Sequence, residues 1–556
     1  MKKYISVFLG LMLMLYCLYW QLPFTKQVYD NKLPTNRSIL LVPLDSRPVC
    51  TELVQELGQL ASLNVILPSK QLLDNYKKPA DKEKLLHWLR NNLKKQNEAI
   101  ISADLLLHGG LLHSRQDFTN PMEQKQLLDA LQQITDETPK LHTSVFSVIP
   151  RLLVSDEMLP DAWYQFHLMK YSQLFDMAEI SSDPYITKEL YDYIEQIPPI
   201  TLIKYRSLYA NNEDFHKQLL LLANKQLEIF IGQDDGSPFG LPHRSARHAQ
   251  AFIESNNLKP HATVTYGADE LASLLLARSY VRNYPSPWTP KVYLQYADSS
   301  VEFYHMPYMT DSVGTTLRNQ LKMVGAVEAA SPETADIILY VNCDHDKYKP
   351  TIKQVHELTQ LIKSGKHVAL VDSAANFNTD ELLIPLLLEN GAPINRLSAY
   401  AGWNTFGNSS GTAIAQAIIF AGQNKILPQA QLPALYSANL RFNVERLLDD
   451  YCYQKLLHPT LKHELYVMGH THNELTPEGM DYCQERVQIF SSLQAELLLH
   501  LNLGRTPFYS QNGTDYYLRN IYVGAKLPWI RIFEVRLDVF TEVGTKSPEK
   551  NDRINK

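Results

Sequence analysis

From Ser38 onward, short runs of branched apolar residues alternate with stretches whose apolar positions recur at helical spacing. The runs are SILLVPL (38–44), NVILP (64–68), EAIISAD (98–104), TSVFSVIP (143–150), LEIFIGQ (227–233), ATVTYG (262–267), KVYLQYA (291–297), DIILYVN (336–342), HVALVD (367–372) and LSAYAG (397–402). Continuous apolar runs of this length, separated by amphipathic stretches, predict a mainly parallel sheet of β/α units. Residues 269–281 place Leu271, Leu274, Leu275 and Arg278 at helical spacing and predict one of the intervening helices.

The segment YPSPWTP (284–290) breaks the rhythm and predicts a linker. Residues 37–285 then form a β/α domain, barrel-like or a large open sheet of about seven strands. Residues 290–425 form a smaller Rossmann-like α/β domain of four strands. From about Leu432 the pattern becomes helical, so 430–545 reads as a mainly helical C-terminal region with one strand near Trp529–Val539. The charged tail after Glu542, and residues 546–556 in particular, reads as disordered.

At the N-terminus, Lys2 and Lys3 precede an apolar run from Ile5 to Trp20, the form of an export signal. Bulky residues follow it where a cleavage site would require small ones. Residues 1–25 are therefore expected to be an export signal or an uncleaved membrane anchor, placing the protein outside the cytoplasm and on the cell membrane, or secreted if cleaved. The balance of 53 Lys+Arg against 59 Asp+Glu gives a net charge of −6, which supplies no basic field for nucleic acid. The 5 cysteines form no C-x-x-C pair, so neither a zinc knuckle nor a dense disulfide framework is indicated. No cofactor and no metal is assigned.

In parallel α/β folds, functional groups collect beyond the carboxyl ends of the strands. Six runs here end in a carboxylate: Asp45, Asp104, Asp234-Asp235, Asp269-Glu270, Asp298 and Asp372. Each alone could cap the following helix, and Asp269 in particular reads as a cap. Six together, with Arg47 and Arg115 close by, point to one convergent polar site. Asp234 and Asp235 are the catalytic candidates, because adjacent carboxyls in unlike environments can supply a general acid and an anionic stabiliser, as glycosidic cleavage requires. The plain alternative is a DDG turn without chemistry. Asp235 is assigned as the acid and Asp234 as its partner.

The segment YAGWNTFGNSSGT (400–412) precedes an apolar helix expected near Ala413 and offers Trp403 for ring stacking, with Asn404 and Asn408 for hydroxyl recognition. The substrate-binding candidates are Asp45, Arg47, Asp104, Arg115, Glu270, Asp372, Trp403, Asn404 and Asn408. A single-site arrangement requires Asp235, Asp45 and Arg115 at one sheet edge with Trp403 facing them. Gly469-His-Thr-His follows LYVM, read as a strand, in the manner of the closing metal-ligand motif of calcineurin-like metallophosphoesterases. The D-x-H, G-D and G-N-H-E motifs of that fold are missing, leaving a local site of His463, His470 and His472, or plain loop histidines, as the readings.

The motifs PLDSRP (43–48), SADLLLHGGLLHSR (102–115), QDDGSPFG (233–240), YGADELASLLLAR (266–278), AGWNTFGNSSGTAIA (401–415) and LPWIRIFE (527–534) together resemble the bacterial domain-of-unknown-function family 4127. That resemblance implies a common scaffold and supplies no reaction. The strand-end D-D and the late W-N motif also resemble hexosaminidase-like glycoside hydrolases, a local likeness from which no residue role is carried over. The expected function is an exported carbohydrate-active hydrolase acting on amino sugars or envelope oligosaccharides. A non-catalytic sugar-binding protein and a metal-dependent hydrolase are the competing readings. The expected partners are a small-molecule or oligosaccharide ligand and the membrane.

Overall fold

The computed structural model describes residues 25–26, 33–35, 37–115, 120–153, 162–344 and 349–546. The apolar run Ile5–Trp20 and the tail 547–556 lie outside the described residues. Among the described residues no helix is long and apolar enough to cross a membrane.

Strands β1 (Thr25–Lys26), β2 (Arg37–Val42), β3 (Leu63–Ile66), β4 (Glu98–Ser102), β5 (His142–Ile149), β6 (Leu227–Gln233) and β7 (Ala262–Val264) open the chain. They are followed by β8 (Lys291–Tyr296), β9 (Val327–Glu328), β10 (Ile337–Asp344), β11 (His367–Ala374) and β12 (Ala399–Ala401). The last three are β13 (Tyr509–Gln511), β14 (Thr514–Lys526) and β15 (Arg536–Lys546). The fold is α/β, with two open parallel sheets. One has the order β3-β2-β4-β5-β6-β7 and the other β12-β11-β10-β8-β9.

Both sheets therefore begin alike: the second strand lies on one side of the first, and the later strands lie on the other. In each sheet the chain reverses its direction of progress next to the first strand, which leaves a crevice beyond the carboxyl ends there. The first sheet has six strands rather than about seven, and the second has five rather than four, because the two-residue β9 carries too little apolar signal to be legible in the second.

The two sheets share a core. Helices Glu52–Leu60 and Leu271–Arg282 from the first unit pack with Val313–Val324 and Phe406–Ile426 from the second, and Leu57, Leu274, Leu317 and Ile418 belong to one continuous cluster. Helix Phe406–Ile426 is buried all round as far as Gln423, as expected of a segment apolar on every face. It begins at Phe406, earlier than the pattern around Ala413 predicts. Thr405 and Asn408 form a reciprocal capping box there, and this recruits the small polar residues into the first turns. Helix Leu271–Arg282 lies close to its predicted span.

The outer face of the first sheet is covered by helices that include Lys82–Leu93, Pro121–Glu137 and Pro199–Leu220. The outer face of the second sheet packs on the C-terminal helices and on the antiparallel sheet β1-β15-β14-β13. Trp529–Phe533 is irregular, and the strands lie on either side of it as a long hairpin, with β15 continuing past Glu542 to Lys546. Leu465-Tyr-Val-Met is not a strand but the end of helix His458–Val467 and its cap. Four apolar residues in sequence fit a buried strand or a helix end equally well, and periodicity does not separate them.

Candidate active site

Beyond the carboxyl ends of both sheets lies a cavity of about 1320 Å³. Arg47 follows β2, Arg151 follows β5, Asp234 and Asp235 follow β6, and Tyr266 and Asp269 follow β7; all line it. Phe377 after β11 and Asn404, Thr405, Gly407 and Asn408 after β12 line it from the second unit. The C-terminal region closes it with His458, Lys462, His463, His470, His472, Arg531 and Phe533.

Local backbone bonds fix the Asp-Asp segment. The Asp234 amide donates to the Ile149 carbonyl at 3.2 Å, the Leu152 amide donates to the Asp235 carbonyl at 2.8 Å, and the Gly236 amide donates to the Tyr308 carbonyl at 2.9 Å. The segment is thus tied to the loop after β5 and to a loop of the second unit. Arg115 Nε donates to Asp234 Oδ2 at 2.9 Å, and the same guanidinium makes a second, shorter contact through Nη2. Asp234 Oδ1 accepts from the Asp235 amide at 2.9 Å. Burial first, and then the charge of Asp234, push the Asp235 carboxyl up from 3.8 to about 7; Arg115 and Arg151 oppose this.

Several other carboxyls are raised as far, principally by burial: Asp104 to about 7, Asp74 and Glu270 to about 8, and Asp450 to about 7. Of these, Asp235 alone lines the cavity. Asp269 is also raised and does line it, but it accepts two hydrogen bonds from Arg47, at 2.5 and 3.2 Å. A carboxylate gripped in this way is a poor proton donor.

Arg47 also donates through Nε to Asp45 Oδ2 at 2.9 Å. Asp45 is fully buried beneath Arg47 and orients it. Asp269 is therefore half of a buried ion pair and not the expected helix cap; helix Leu271–Arg282 has no side-chain cap bond. Asp45, Cys50 and Asp269 bring ligand-type atoms within 4.8 Å of one another. The Arg47 guanidinium already bonds both carboxylates, and burial followed by the charge of Asp45 pushes the Cys50 thiol well above its usual range, so these residues do not fit a cation.

The remaining substrate-binding candidates lie at different depths. Asn404 and Asn408 line the cavity, and Asn404 Nδ2 donates to Asn408 Oδ1 at 3.0 Å. Glu270 lies behind them, where its Oε2 accepts from Asn408 Nδ2 at 2.7 Å. Its carboxyl occupies space that only glycines leave open: a Cβ on Gly267 would stand 1.7 Å from Glu270 Oε1, and one on Gly411 would stand 2.4 Å from its Cγ. Asp104 is fully buried, accepting from the Val148 amide at 2.9 Å and from Ser147 Oγ at 3.1 Å.

Trp403 does not face the cavity. It is buried with its ring 6.2 Å from Phe533, which does line the wall. Asp372 does not line the cavity and holds the amides of Leu383 and Ile384, each at 2.8 Å, as the anchor of a short helix. Arg47, Arg115, Asp234, Asp235, Asn404 and Asn408 thus line the cavity, Asp45 and Glu270 lie behind it and hold residues that do, and Asp104, Trp403 and Asp372 are corrections to the single-site arrangement.

The family model described as a protein of unknown function (DUF4127) matches residues 39–538. The chain belongs to that family. No curated protein and no solved structure matches it. The residues brought together in the cavity must therefore be read from their own chemistry.

Among the described residues, seven non-glycine residues have positive φ, and four of them, Tyr76, Tyr308, Phe377 and Asn404, line the cavity. Backbone strain held by surrounding structure gathers at functional sites, and for tyrosine and phenylalanine the left-handed region is unfavourable. Nothing in the sequence marks these aromatic positions. The cationic wall from the C-terminal region was equally illegible: only Gly469-His-Thr-His stood out, and the partners that give it meaning are distant in the chain.

Proposed function

We propose that this protein is an exported carbohydrate-active hydrolase, glycoside hydrolase-like, with Asp235 as general acid. One observation carries the reading: a carboxyl pushed up to about 7 faces the cavity beside a second carboxylate that is paired with arginine. A cavity of about 1320 Å³ holds an oligosaccharide segment rather than one small ring. Tyr266, Tyr308 and Phe377 supply flat faces on its wall, and Asn404 and Asn408 supply donors and acceptors.

In this reading Asp235 protonates the glycosidic oxygen as the bond breaks, and Asp234, fixed by Arg115, stabilises positive charge developing on the sugar or orients the group that attacks it. Amino sugars or envelope oligosaccharides are the substrate class. Lys2, Lys3 and the apolar run Ile5–Trp20 support export, with the run retained as an anchor in the cell membrane.

The test is turnover by the purified chain of a panel of nitrophenyl glycosides and cell-wall oligosaccharides, beside Asp235→Asn. Cleavage by the wild type and its loss in the variant supports the reading. Binding of a sugar without cleavage assigns the protein to the non-catalytic sugar-binding class instead, and turnover lost on chelation assigns it to metal-dependent hydrolysis.

A further inference from the structure

The Gly469-His-Thr-His motif, which the catalytic reading does not use, sits on the cavity wall formed by the C-terminal region. The loop that carries it is fastened at several points. The Tyr76 hydroxyl donates to the Asn473 carbonyl at 2.5 Å, and Lys77 pairs with Glu474 at 2.8 Å. The Leu475 amide donates to the Ile530 carbonyl at 2.7 Å, and the Ile532 amide donates to the His472 carbonyl at 3.2 Å. Thr471 Oγ1 closes the turn on the Glu474 carbonyl at 2.8 Å. The loop is thus held against both the first unit and the segment Trp529–Phe533, which presents His470 and His472 from a fixed frame.

Helix His458–Val467 adds Lys462 and His463 to the same wall. Most of the other cations of the cavity have carboxylate partners: Arg47 with Asp45 and Asp269, Arg115 with Asp234, Lys77 with Glu474, and Arg531 with Glu534; Arg151 donates through Nε to the Leu153 carbonyl at 2.9 Å. Lys462 has no carboxylate within ion-pair distance among the described residues. Its charge reaches its neighbours: after burial, Lys462 is among the causes that lower His472, and His472 and Lys462 are among those that lower His458 to about 4. An ammonium with no carboxylate partner, on a cavity wall that also carries imidazole N–H donors, favours an incoming anion.

We propose that Lys462, His463, His470 and His472 form an anion subsite for an oxyanion carried by the substrate, the carboxylate or phosphate of an acidic saccharide. The subsite deepens the hydrolase reading by naming the substrate class, and rests on that reading only for the statement that the bound saccharide is cleaved. Lys462 supplies the charge, and the imidazoles supply N–H groups to oxygens that the ammonium alone leaves unbonded.

The experiment is titration calorimetry on the full chain with two matched pairs of probes: cellobiose against cellobiouronic acid for a carboxylate, and glucose against glucose 6-phosphate for a phosphate. At least one acidic member is expected to bind about tenfold tighter than its neutral twin, the size of one charge-assisted hydrogen bond at a partly exposed site. Which pair shows the preference identifies the oxyanion. Lys462 and His463 are exposed, so Lys462→Gln and the double variant Lys462→Gln/His463→Gln are expected to fold as the wild type does. In the double variant the preference falls to less than about threefold while binding of the neutral member is unchanged.

Equal binding within both pairs by the wild type, no binding of either acidic probe, or a preference that survives in the double variant overturns the subsite. Preference lost in the variant with no saccharide cleaved by the wild type upholds the subsite and refutes the hydrolase reading. Cleavage of neutral and acidic substrates at equal efficiency does the reverse.

Discussion

Replacing Asp235 with Asn separates the chemical from the structural consequences of a raised carboxyl. In the folded protein Asp235 takes up its proton near pH 7 instead of 3.8. Below about pH 4 it is protonated in folded and unfolded chains alike and costs nothing. As pH rises from 4 to 7 the unfolded chain loses the proton first, so stability falls, and above 7 the penalty is complete. Each pH unit of that interval corresponds to about 1.4 kcal/mol. Solvent reaches Asp235 through the cavity, and screening reduces the total to about 1–2 kcal/mol. Asparagine keeps the shape and has no charge to desolvate. Asp235→Asn is therefore expected to match the wild type at about pH 3 and to exceed it by about 1–2 kcal/mol at pH 8 in urea unfolding. Turnover of any substrate found is expected to fall by about 10²–10⁴-fold over the same pH range. Parallel pH dependence of unfolding in the two proteins would refute the raised carboxyl, and retained turnover would remove Asp235 from the chemistry.

Other perturbations have signs fixed by the same geometry. Arg115 lowers Asp235, so Arg115→Gln is expected to move the alkaline limb of the pH–rate profile to higher pH; a move to lower pH contradicts the assigned pairing. Glu270 is pushed up to about 8, so Glu270→Gln should change stability by less than about 1 kcal/mol at pH 7, while Glu270→Ala should cost about 2–4 kcal/mol through the lost partner of Asn408 and the space left; thermal melts distinguish the two. Gly411→Ala drives a methyl to 2.4 Å from Glu270 Cγ and should destabilise by about 1–3 kcal/mol, an effect relieved when Glu270 is also Ala. Asp372→Ala should cost about 2 kcal/mol or more in unfolding while leaving ligand affinity unchanged, because its partners Leu383, Ile384 and Asn342 belong to the second unit's framework.

The alternation of apolar runs and amphipathic stretches determined the β/α class and nearly every strand of the two parallel sheets, because a strand buried on both faces must be apolar along its whole length. The strand-end rule located Asp234, Asp235, Arg47 and Arg115, because it depends on chain direction, which is local. It could not tell that Asp269 pairs with Arg47 rather than capping its helix, since the two lie 222 residues apart in the chain. Asp372 shared the same local signature and went to a helix anchor. Trp403 has the local signature of a stacking residue, yet tertiary packing buries it against Phe533 behind the wall. The burial that pushes up Asp235, Glu270 and Asp104 alike, the strained aromatics, and the placing of the Gly469-His-Thr-His loop and the Asp-Asp segment on one cavity were settled by tertiary structure. Desolvation and distant contacts depend on which surfaces come together, and one-dimensional periodicity carries no record of that.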